Sequence, residues 1–412
     1  MKNARELAAD ILCEVEKGAK SNECISNALD ASGLSDSDRH FATLLVQGTL
    51  EKLISIDEIL ASYSKNPISK LRPMVRNVLR ISIYQLKYLS NIPQSAVCNE
   101  AVKIIERRKI FGLKAYVNAV LRSCCNDVPI EEKSTVPKWI EDIIAKRAGD
   151  KAGAVLQSLD ESTPLICRYN LSKASADEIT GILAAQGIYS ERIEGTIAGY
   201  ELTSGIPVSQ ITAFQNGLIQ IQNVSSIIAA EKLAPNKGDK VLDLCAAPGG
   251  KSIAIADMVG ATGIVVAGDL TPKKIGYIKS NVERCGFSQV TAEVRDACEF
   301  IPSEENTYDC VLADLPCSGL GTIGHKKEIR YRMSPEKVKE LSALQRKILV
   351  NAVRYVKAGG KLLYSTCTIT FEENEENADY IKSLGLNLVE ERQFLPGLDP
   401  KYDGFYYALF EK

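Results

Sequence analysis

The sequence has few of the features that mark exported or membrane-spanning proteins. Its first residues, MKNARELAADILCEVEK, carry charges every few positions and lack the apolar core of a signal peptide, so we expect no export. The longest stretch without Asp, Glu, Lys or Arg, residues 202–230, is interrupted throughout by Ser, Thr, Asn, Gln, Gly and Pro. A membrane span does not tolerate such interruption, so the sequence predicts a soluble protein without a membrane partner.

Histidine and paired cysteines are also scarce. Only His40 and His325 occur, and none of the twelve cysteines forms a CxxC pair, so a structural zinc site has almost no ligands to draw on. Twelve cysteines without a secretory signal indicate a reducing compartment in which thiols stay free. We therefore expect a cytoplasmic protein without a metal.

Length and charge point to a modular chain with a polyanionic partner. At 412 residues the chain exceeds what one hydrophobic core usually supports, and its apolar content of 45% is typical of folded globular proteins. The formal net charge of −2 hides an asymmetry, because residues 65–122 contain twelve Lys or Arg against two Asp or Glu. This excess favours RNA as a partner over a set of solvated helix faces.

Apolar periodicity predicts a helical bundle followed by a small mixed unit. Up to about Cys125, apolar residues recur three and four positions apart, which predicts five or six helices within residues 1–127. Ser35 and Pro93 mark the starts of two of them. Residues 128–214 predict an α+β unit with a charged helix and short strands, whose chemistry the sequence does not reveal.

From residue 215 onward, predicted strands alternate with helices, which is typical of a doubly wound parallel sheet. The predicted strands are residues 241–244, 264–269, 290–294, 310–314 and 361–365. Ligands of such sheets bind at the carboxyl ends of the strands. The residues that follow each strand are therefore the candidates for chemistry.

The first of these strands runs into a turn of small residues that opens a helix. The turn consists of Cys245, Ala246, Ala247, Pro248, Gly249, Gly250 and Lys251. It lacks both the G-x-G-x-x-G of dinucleotide enzymes and the G-K-[ST] ending of phosphate loops, which argues against NAD and ATP as ligands. An ordinary tight turn is the simpler explanation of this stretch taken alone.

Acidic residues follow the next two strands. Asp269 has roughly the spacing at which a carboxylate binds ribose hydroxyls, and the carboxylate of Asp296 is placed to accept a hydrogen bond from an adenine amino group. A helix cap is the commoner explanation of either residue alone. Their succession at neighbouring strand ends favours a nucleoside site.

Cysteines follow the last two strands. Cys317 comes three residues after Asp314, and Cys367 lies in the stretch Ser365-Thr366-Cys367. Most cysteines are buried and inert. Two thiols at neighbouring strand ends, one near an Asp, favour a catalytic role instead.

The stretches LDLCAAPGGKS, DLPCSGLGTI, YSTCTITFEENE and DGFYYALFEK, in this order, resemble the RNA cytosine-C5 methyltransferases across the whole C-terminal domain. The stretches IPQSAVCNEAVKI and AYVNAVLRS resemble the RNA-binding NusB-like domain. Together they resemble one bacterial subfamily, the RsmB (Sun) type, which methylates a cytosine of small-subunit (16S) ribosomal RNA. The resemblance implies an all-α NusB-like bundle (1–127), a small α+β middle unit (128–214) and a Rossmann-like doubly wound S-adenosylmethionine methyltransferase domain (215–412). We expect a monomer.

The resemblance also implies roles for the residues at the strand ends. The turn of residues 245–251 would wrap the methionine part of S-adenosylmethionine, Asp269 would hold the ribose and Asp296 the adenine. Asp314 would lie between the cofactor and the cytosine. Cys367 matches the family's nucleophile, and Cys317 matches a second cysteine that assists product release. We expect Lys251 to be the cation that lowers the pKa of the nucleophile.

Two positions depart from the family's pattern. Asn223 stands where the family more often has Asp, and Lys327 where Pro is frequent. We expect these departures to affect only the strand leading into the domain and an RNA-facing loop. Residues 326–357, with ten basic and three acidic residues, are predicted to hold phosphates.

Three alternatives stay open. A cytosine-C5 methyltransferase of transfer RNA or large-subunit RNA is the nearest, although the NusB-like bundle argues against it. A non-catalytic RNA-binding assembly factor would have no reason to keep both Cys317 and Cys367. A nicotinamide oxidoreductase would need the glycine fingerprint that is missing here.

Overall fold

The structure is a computed structural model that describes residues 2–125, 134–161, 164–398 and 403–412. The chain forms two compact units: Met1–Asp142 with His325–Arg332, and Ile143–Gly324 with Met333–Lys412. The predicted domain boundary at 127/128 lies outside the described residues, and the predicted boundary at 214/215 falls inside the second unit. The division into three domains therefore stays a prediction.

The first unit is an all-α bundle. Its main helices are α1 (Ala4–Glu16), α2 (Ser21–Asp30), α3 (Asp36–Glu51), α4 (Leu53–Tyr63), α5 (Pro73–Tyr88), α6 (Gln94–Arg107) and α7 (Lys114–Cys125). Within the described residues 2–125, these seven helices replace the five or six predicted, because only Lys52 separates α3 from α4 and the apolar periodicity hardly changes there. The predicted helix starts are confirmed: Ser35 caps α3 by accepting from Asp38 N, and Pro93 precedes α6.

Residues His325–Arg332, which include α15 (Ile329–Arg332), belong to this first unit. The buried carboxylate of Glu328 accepts hydrogen bonds from the backbone N–H and hydroxyl of Ser21. Arg330 is buried and donates to the backbone oxygens of Glu51 and Thr135. Lys327 pairs with Glu51. These three side chains have partners within the unit, and the RNA-facing loop that we predicted here stays a prediction.

The second unit is built on a seven-stranded sheet. Its strands are β5 (Lys240–Asp243), β6 (Ile264–Asp269), β7 (Val290–Val294), β8 (Tyr308–Asp314), β9 (Val356–Thr366), β10 (Asn387–Phe394) and β11 (Phe405–Glu411), in the order β10-β11-β9-β8-β5-β6-β7. The five strands from β9 to β7 are parallel, as predicted. Two antiparallel strands at one edge make the sheet mixed.

Helices cover both faces of this sheet. One apolar core joins the sheet to α12 (Val224–Leu233), α13 (Gly250–Val259) and α14 (Pro272–Cys285). Another joins it to α16 (Pro335–Tyr355) and α17 (Glu375–Ser383). The predicted doubly wound α/β class is thereby confirmed. None of the described helices is long and apolar enough to cross a membrane.

A smaller antiparallel sheet belongs to the same unit. Its strands are β1 (Leu165–Tyr169), β2 (Tyr189–Arg192), β3 (Gly199–Thr203) and β4 (Ile219–Ile221), in the order β2-β3-β1-β4. The helices of this region are α8 (Lys138–Ala148), which belongs to the first unit up to Asp142, and α9 (Ala152–Ser158), α10 (Ala176–Ala185) and α11 (Thr212–Gln215). Arg168 of β1 forms an ion pair with Asp257 of α13 at 2.5 Å, and both side chains are buried. Arg284 of α14 donates to the backbone oxygen of Phe214. These contacts join the predicted middle unit to helices that pack on the larger sheet.

Candidate active site

The glycine-rich turn lies between β5 and α13, at the carboxyl edge of the large sheet. Gly249 caps α13 with a φ of +103°, a left-handed conformation that favours glycine. The backbone N–H of Ala247 donates to Asp269 at 3.0 Å. The turn that we predicted from Cys245 to Lys251 is therefore anchored on the neighbouring strand end.

A cavity of about 140 Å³ lies against this turn. Six of the seven predicted turn residues line it: Cys245, Ala246, Ala247, Pro248, Gly250 and Lys251. Further polar residues of its wall are Gln220, Gln222, Ser226, Asp243 and Asp314. The arrangement combines a closely approachable backbone with a few polar groups, as small-molecule sites usually do.

Two buried oxygen atoms in this cavity wall have no hydrogen-bond partner among the described residues: Gln222 Oε1 and Asp243 Oδ1. Asp243 uses its other oxygen to accept from the hydroxyl of Ser252 at 2.6 Å. Buried acceptors are normally satisfied, so these two fit a ligand that brings N–H donors, such as the ammonium of S-adenosylmethionine.

Burial raises the pKa of Asp243 to about 7. Neither Asp243 nor Gln222 was predicted from the sequence. An acidic residue at the end of an otherwise apolar strand, within LDLCAAPGGKS, was the available indication for Asp243.

The two predicted nucleoside ligands lie at adjoining strand ends, since β6 pairs in parallel with β7. Asp269 is buried, and its carboxylate accepts from Leu270 N at 2.7 Å and from Lys274 Nζ at 2.8 Å, in addition to the bond from the turn. Asp296 accepts from the backbone N–H of Cys298 at 2.9 Å. The structure thus gives both carboxylates local partners, and Asp269 also supports the turn.

The two predicted catalytic cysteines are brought together. Their sulfur atoms lie 3.3 Å apart, after β8 and β9 respectively, and the parallel register pairs Asp314 with Ser365 just before them. Gly321 N donates to the backbone oxygen of Cys367 at 3.1 Å. A side chain at Gly321 would overlap the carbonyl oxygen of Gly404, so this close approach requires glycine.

The hydrogen bond with Cys367, together with burial of the thiol, raises the pKa of Cys317 well above its ordinary value. The Cys317 thiol is therefore protonated at neutral pH. Its S–H is placed to donate to the sulfur of Cys367.

Asp314 is held by two side chains. Lys251 Nζ donates to it at 2.7 Å, and the hydroxyl of Ser365 donates to its other oxygen at 2.8 Å. Lys251 also reaches the hydroxyl of Ser226 at 3.2 Å. Lys251 thus forms an ion pair with Asp314. We had predicted that it would lie beside the nucleophile and lower the pKa of that thiol.

The predicted basic patch, residues 65–122, is half neutralised. Six of its twelve basic side chains form ion pairs within the bundle: Arg76, Arg80, Lys103, Arg107, Arg108 and Lys114. Acids from other helices, among them Glu6 and Glu16, supply several of these partners. Lys65, Lys70 and Arg72 are exposed and lie near one another in the sequence, so they are the better candidates for phosphate contact.

The two positions that depart from the family's pattern are accommodated locally. Asn223 caps α12 by accepting from Ser225 N, a role that Asp also performs.

Among the residues described, no group of three or more His, Cys, Asp or Glu gathers as a set of metal ligands.

Comparisons with known proteins agree with both units. A family model described as 16S rRNA methyltransferase RsmB/F matches residues 230–411, and a NusB family model matches residues 2–126. A probable ribosomal RNA small subunit methyltransferase B of Bacillus subtilis (strain 168) is 35% identical over 399 residues, which cover 91% of this chain and 87% of that protein. Ribosomal RNA small subunit methyltransferase B of Klebsiella pneumoniae is 28% identical and covers 100% of this chain and 98% of its own length.

A solved structure has the same fold over the whole chain. The crystal structure of PH0851 superposes with a TM-score of 0.88 at 26% identity, covering 100% of this chain and 99% of its own. The predicted combination of a NusB-like bundle and a Rossmann-like methyltransferase fold is confirmed. With family models matching both parts and a full-length relative at 35% identity, the chain belongs to the ribosomal RNA small subunit methyltransferase B family of enzymes.

Proposed function

We propose that this enzyme methylates carbon 5 of a cytosine in small-subunit ribosomal RNA through a covalent adduct with Cys367. The observation that carries the proposal is the 3.3 Å separation of the Cys317 and Cys367 sulfur atoms. They follow adjoining strands whose paired residues, Asp314 and Ser365, are hydrogen-bonded. One thiol for addition and one to assist its release, beside a carboxylate, is the set that this reaction needs.

Carbon 5 of cytosine is a poor nucleophile, which explains the need for covalent catalysis. The thiolate of Cys367 adds to carbon 6, and the displaced electron pair makes the ring enamine-like, with negative charge spread towards nitrogen 3. We assign to Asp314 the hydrogen bond at nitrogen 3, in which the carboxyl group must carry the proton because nitrogen 3 is an acceptor. The fixed position of the carboxyl group between Lys251 and Ser365 presents it in one orientation.

After methyl transfer the adduct must break. A base removes the proton from carbon 5, the electrons of that bond re-form the double bond between carbons 5 and 6, and Cys367 leaves as a thiolate. The raised pKa keeps the Cys317 thiol protonated, so we assign removal of the carbon 5 proton to a water beside it. The S–H of Cys317 then donates a hydrogen bond to the departing thiolate of Cys367.

S-adenosylmethionine supplies the methyl group when it is bound. The unpartnered oxygens of Asp243 and Gln222 support its methionine part at the cavity, along with the turn of residues 245–251. Asp269 and Asp296 are assigned to ribose and adenine. The exposed apolar side chains of Leu270 and Val294, each 57% exposed beside these acids, supply surfaces for a base.

The substrate cytosine must be unstacked for its ring to reach the thiols. A single-stranded loop, or a base turned out of a helix, satisfies this requirement. We assign phosphate binding to Lys65, Lys70 and Arg72 of the bundle, since these are exposed. The cytoplasmic location and the monomeric state stay predictions.

The test is to map 5-methylcytosine in all ribosomal and transfer RNA of cells with the gene intact, deleted, or complemented by Cys367→Ala. We expect one small-subunit cytosine to lose its methyl group on deletion and to stay unmethylated with Cys367→Ala. Loss of a mark in transfer or large-subunit RNA would replace the proposed substrate. A mark restored by the Cys367→Ala protein would contradict the proposed nucleophile.

A further inference from the structure

We propose that Glu373 is a positioning residue that fixes Cys317 and Cys367 relative to each other by binding the two loops that carry them. The inference rests on the proposed roles of the cysteines. Glu373 was not singled out from the sequence, where it lies within YSTCTITFEENE, six residues after Cys367.

The carboxylate of Glu373 receives four hydrogen bonds from three elements. Ser318, directly after Cys317, donates through its backbone N–H at 2.8 Å and through its hydroxyl. Thr370, three residues after Cys367, donates its hydroxyl at 2.8 Å. Gln345 of α16 donates its amide at 3.1 Å. One carboxylate therefore joins the loop after β8 to the loop after β9, near both cysteines in the chain.

Thr368 adds a second contact between the two loops. Its hydroxyl lies 2.7 Å from that of Ser318, so the residue after each cysteine contacts the residue after the other. The separation of the two sulfur atoms is therefore set by backbone segments that share Glu373 as their common partner.

The negative charge of Glu373 indicates a role in addition to filling space. Its side chain is fully buried, and its four donors are all uncharged. Burying a carboxylate is costly, and neutral donors compensate for it only in part. A neutral glutamine would fill the same space. The negative charge acts on the neighbouring thiol, since it contributes, after the bond from Cys367 and burial, to the raised pKa of Cys317.

The loop after β9 has further anchors, so removal of the Glu373 charge should leave it folded. Arg147 donates to the backbone oxygen of Ile369 at 2.7 Å and pairs with Glu375, and its guanidinium lies 3.5 Å from the centre of the Phe371 ring. Asn374 accepts from the hydroxyl of Thr366 at 2.6 Å. These contacts hold the loop independently of the carboxylate.

The test compares Glu373→Gln and Glu373→Ala with the wild-type full-length protein. Glu376→Gln is the matched control, because this neighbouring glutamate is exposed and pairs only at 3.5 Å with Arg346. Four properties are measured: the melting temperature, the Kd for S-adenosylmethionine, kcat and KM with substrate RNA, and the pH profile of Cys317 alkylation by iodoacetamide. Mass spectrometry of the labelled peptide separates Cys317 from the other cysteines.

For Glu373→Gln we expect alkylation of Cys317 to shift to lower pH by about half a unit or more, because a negative charge beside the thiol is removed. We expect kcat to fall by about tenfold, with KM and the Kd for S-adenosylmethionine within about twofold of wild type. Glu373→Ala should lower kcat further, because both loops then lack their common acceptor. Glu376→Gln should match the wild type throughout.

An unchanged Cys317 profile together with an unchanged kcat in Glu373→Gln would overturn the proposal. A parallel loss of melting temperature, S-adenosylmethionine binding and kcat would also overturn it, since that pattern indicates a purely structural role. Failure of the proposed function is distinguishable. If no variant of either cysteine forms an RNA adduct, the covalent mechanism is wrong, whereas the alkylation profile still reports on Glu373.

Discussion

The sulfur atoms of Cys317 and Cys367 lie 3.3 Å apart, although fifty residues separate them in the chain. The parallel pairing of β8 with β9 produces this proximity, because it aligns Asp314 with Ser365 and so brings the following loops to one edge of the sheet. The bond to Cys367, together with burial, raises the pKa of Cys317.

The roles proposed for the two cysteines predict opposite outcomes for the two alanine variants. Cys367→Ala should abolish methyl transfer and any covalent complex, because it removes the group that adds to carbon 6. Cys317→Ala should form the methylated adduct but release it slowly, and so trap RNA. Each variant is incubated with substrate RNA and S-adenosylmethionine, and a protein-RNA band that survives denaturing electrophoresis is sought. An adduct with Cys367→Ala and none with Cys317→Ala would reverse the two roles.

Asp269 should matter more for cofactor binding than Asp296, because Asp269 also anchors the turn through Ala247 N. We expect Asp269→Ala to raise the Kd for S-adenosylmethionine by about tenfold or more and Asp296→Ala to raise it less, since a hydrogen bond to a charged group contributes about 1.5–3 kcal/mol. Calorimetry with the full-length protein measures both. Wild-type affinity in a folded Asp269→Ala protein would refute the assignment.

Asp243 should make the unliganded protein less stable at alkaline than at acidic pH. Burial raises its pKa in the folded state to about 7 from 3.8, so the folded state holds a proton that the unfolded chain releases. The resulting stability is fully present below about pH 4 and is lost as the pH rises through about 7. Between pH 5 and pH 8 the melting temperature of the wild type should therefore fall, and that of Asp243→Asn should fall by a few degrees less than the wild type's.

Melting curves at the two pH values provide the measurement, and Asp379→Asn is the control because that carboxylate is 69% exposed. Asp243→Asn should also bind S-adenosylmethionine more weakly, because a neutral amide replaces the carboxylate at the cavity wall. A variant with the wild-type pH dependence would show that Asp243 is ionised in the folded protein.

RNA binding should depend on exposed cations of the bundle and not on the paired ones. Combined charge reversal at Lys65, Lys70 and Arg72 should weaken binding and lower the salt slope by about 0.7–0.9 for each phosphate that is no longer neutralised, without a change in melting temperature. Charge reversal at Arg107 and Arg108 should instead lower the melting temperature, because both pair with the buried Glu6. Filter binding across a salt series measures the slope.

A triple variant that binds RNA as the wild type does would identify these three residues as a solvated surface. The paired double variant is then informative as a control. If it binds RNA normally and stays folded, the ion pairs with Glu6 contribute little to the bundle.

The sequence predicted the central sheet and its strand ends well. Buried parallel strands are nearly continuous apolar runs, and each ends at a recognisable acidic or cysteine motif, so Asp269, Asp314, Cys317 and Cys367 could be placed on one edge. Both antiparallel strands were missed. The sequence of β10, NLVEERQF, is largely polar and charged and lies at the rim of the sheet, and β11, FYYALFE, was used only as part of a family motif.

Long-range polar contacts were the part that sequence reasoning could not supply. Glu373 contacts Ser318 from 55 residues away, and nothing in either local pattern indicates the partner. The basic patch was overestimated for the same reason, because counting charges within residues 65–122 leaves out Glu6, Asp10 and Glu16. Both errors arise from tertiary partners that no local window contains.

The assignment of His325–Arg332 to the helical unit limits how this enzyme can be dissected. The chain passes from one unit to the other at three places: after Asp142, after Gly324 and after Arg332. No single cut therefore separates the two units, and a fragment beginning near residue 215 would carry Glu328 and Arg330 without the groups that satisfy them. An insertion or a protease site within His325–Arg332 would therefore disturb the helical unit, although this segment lies in the C-terminal half of the sequence.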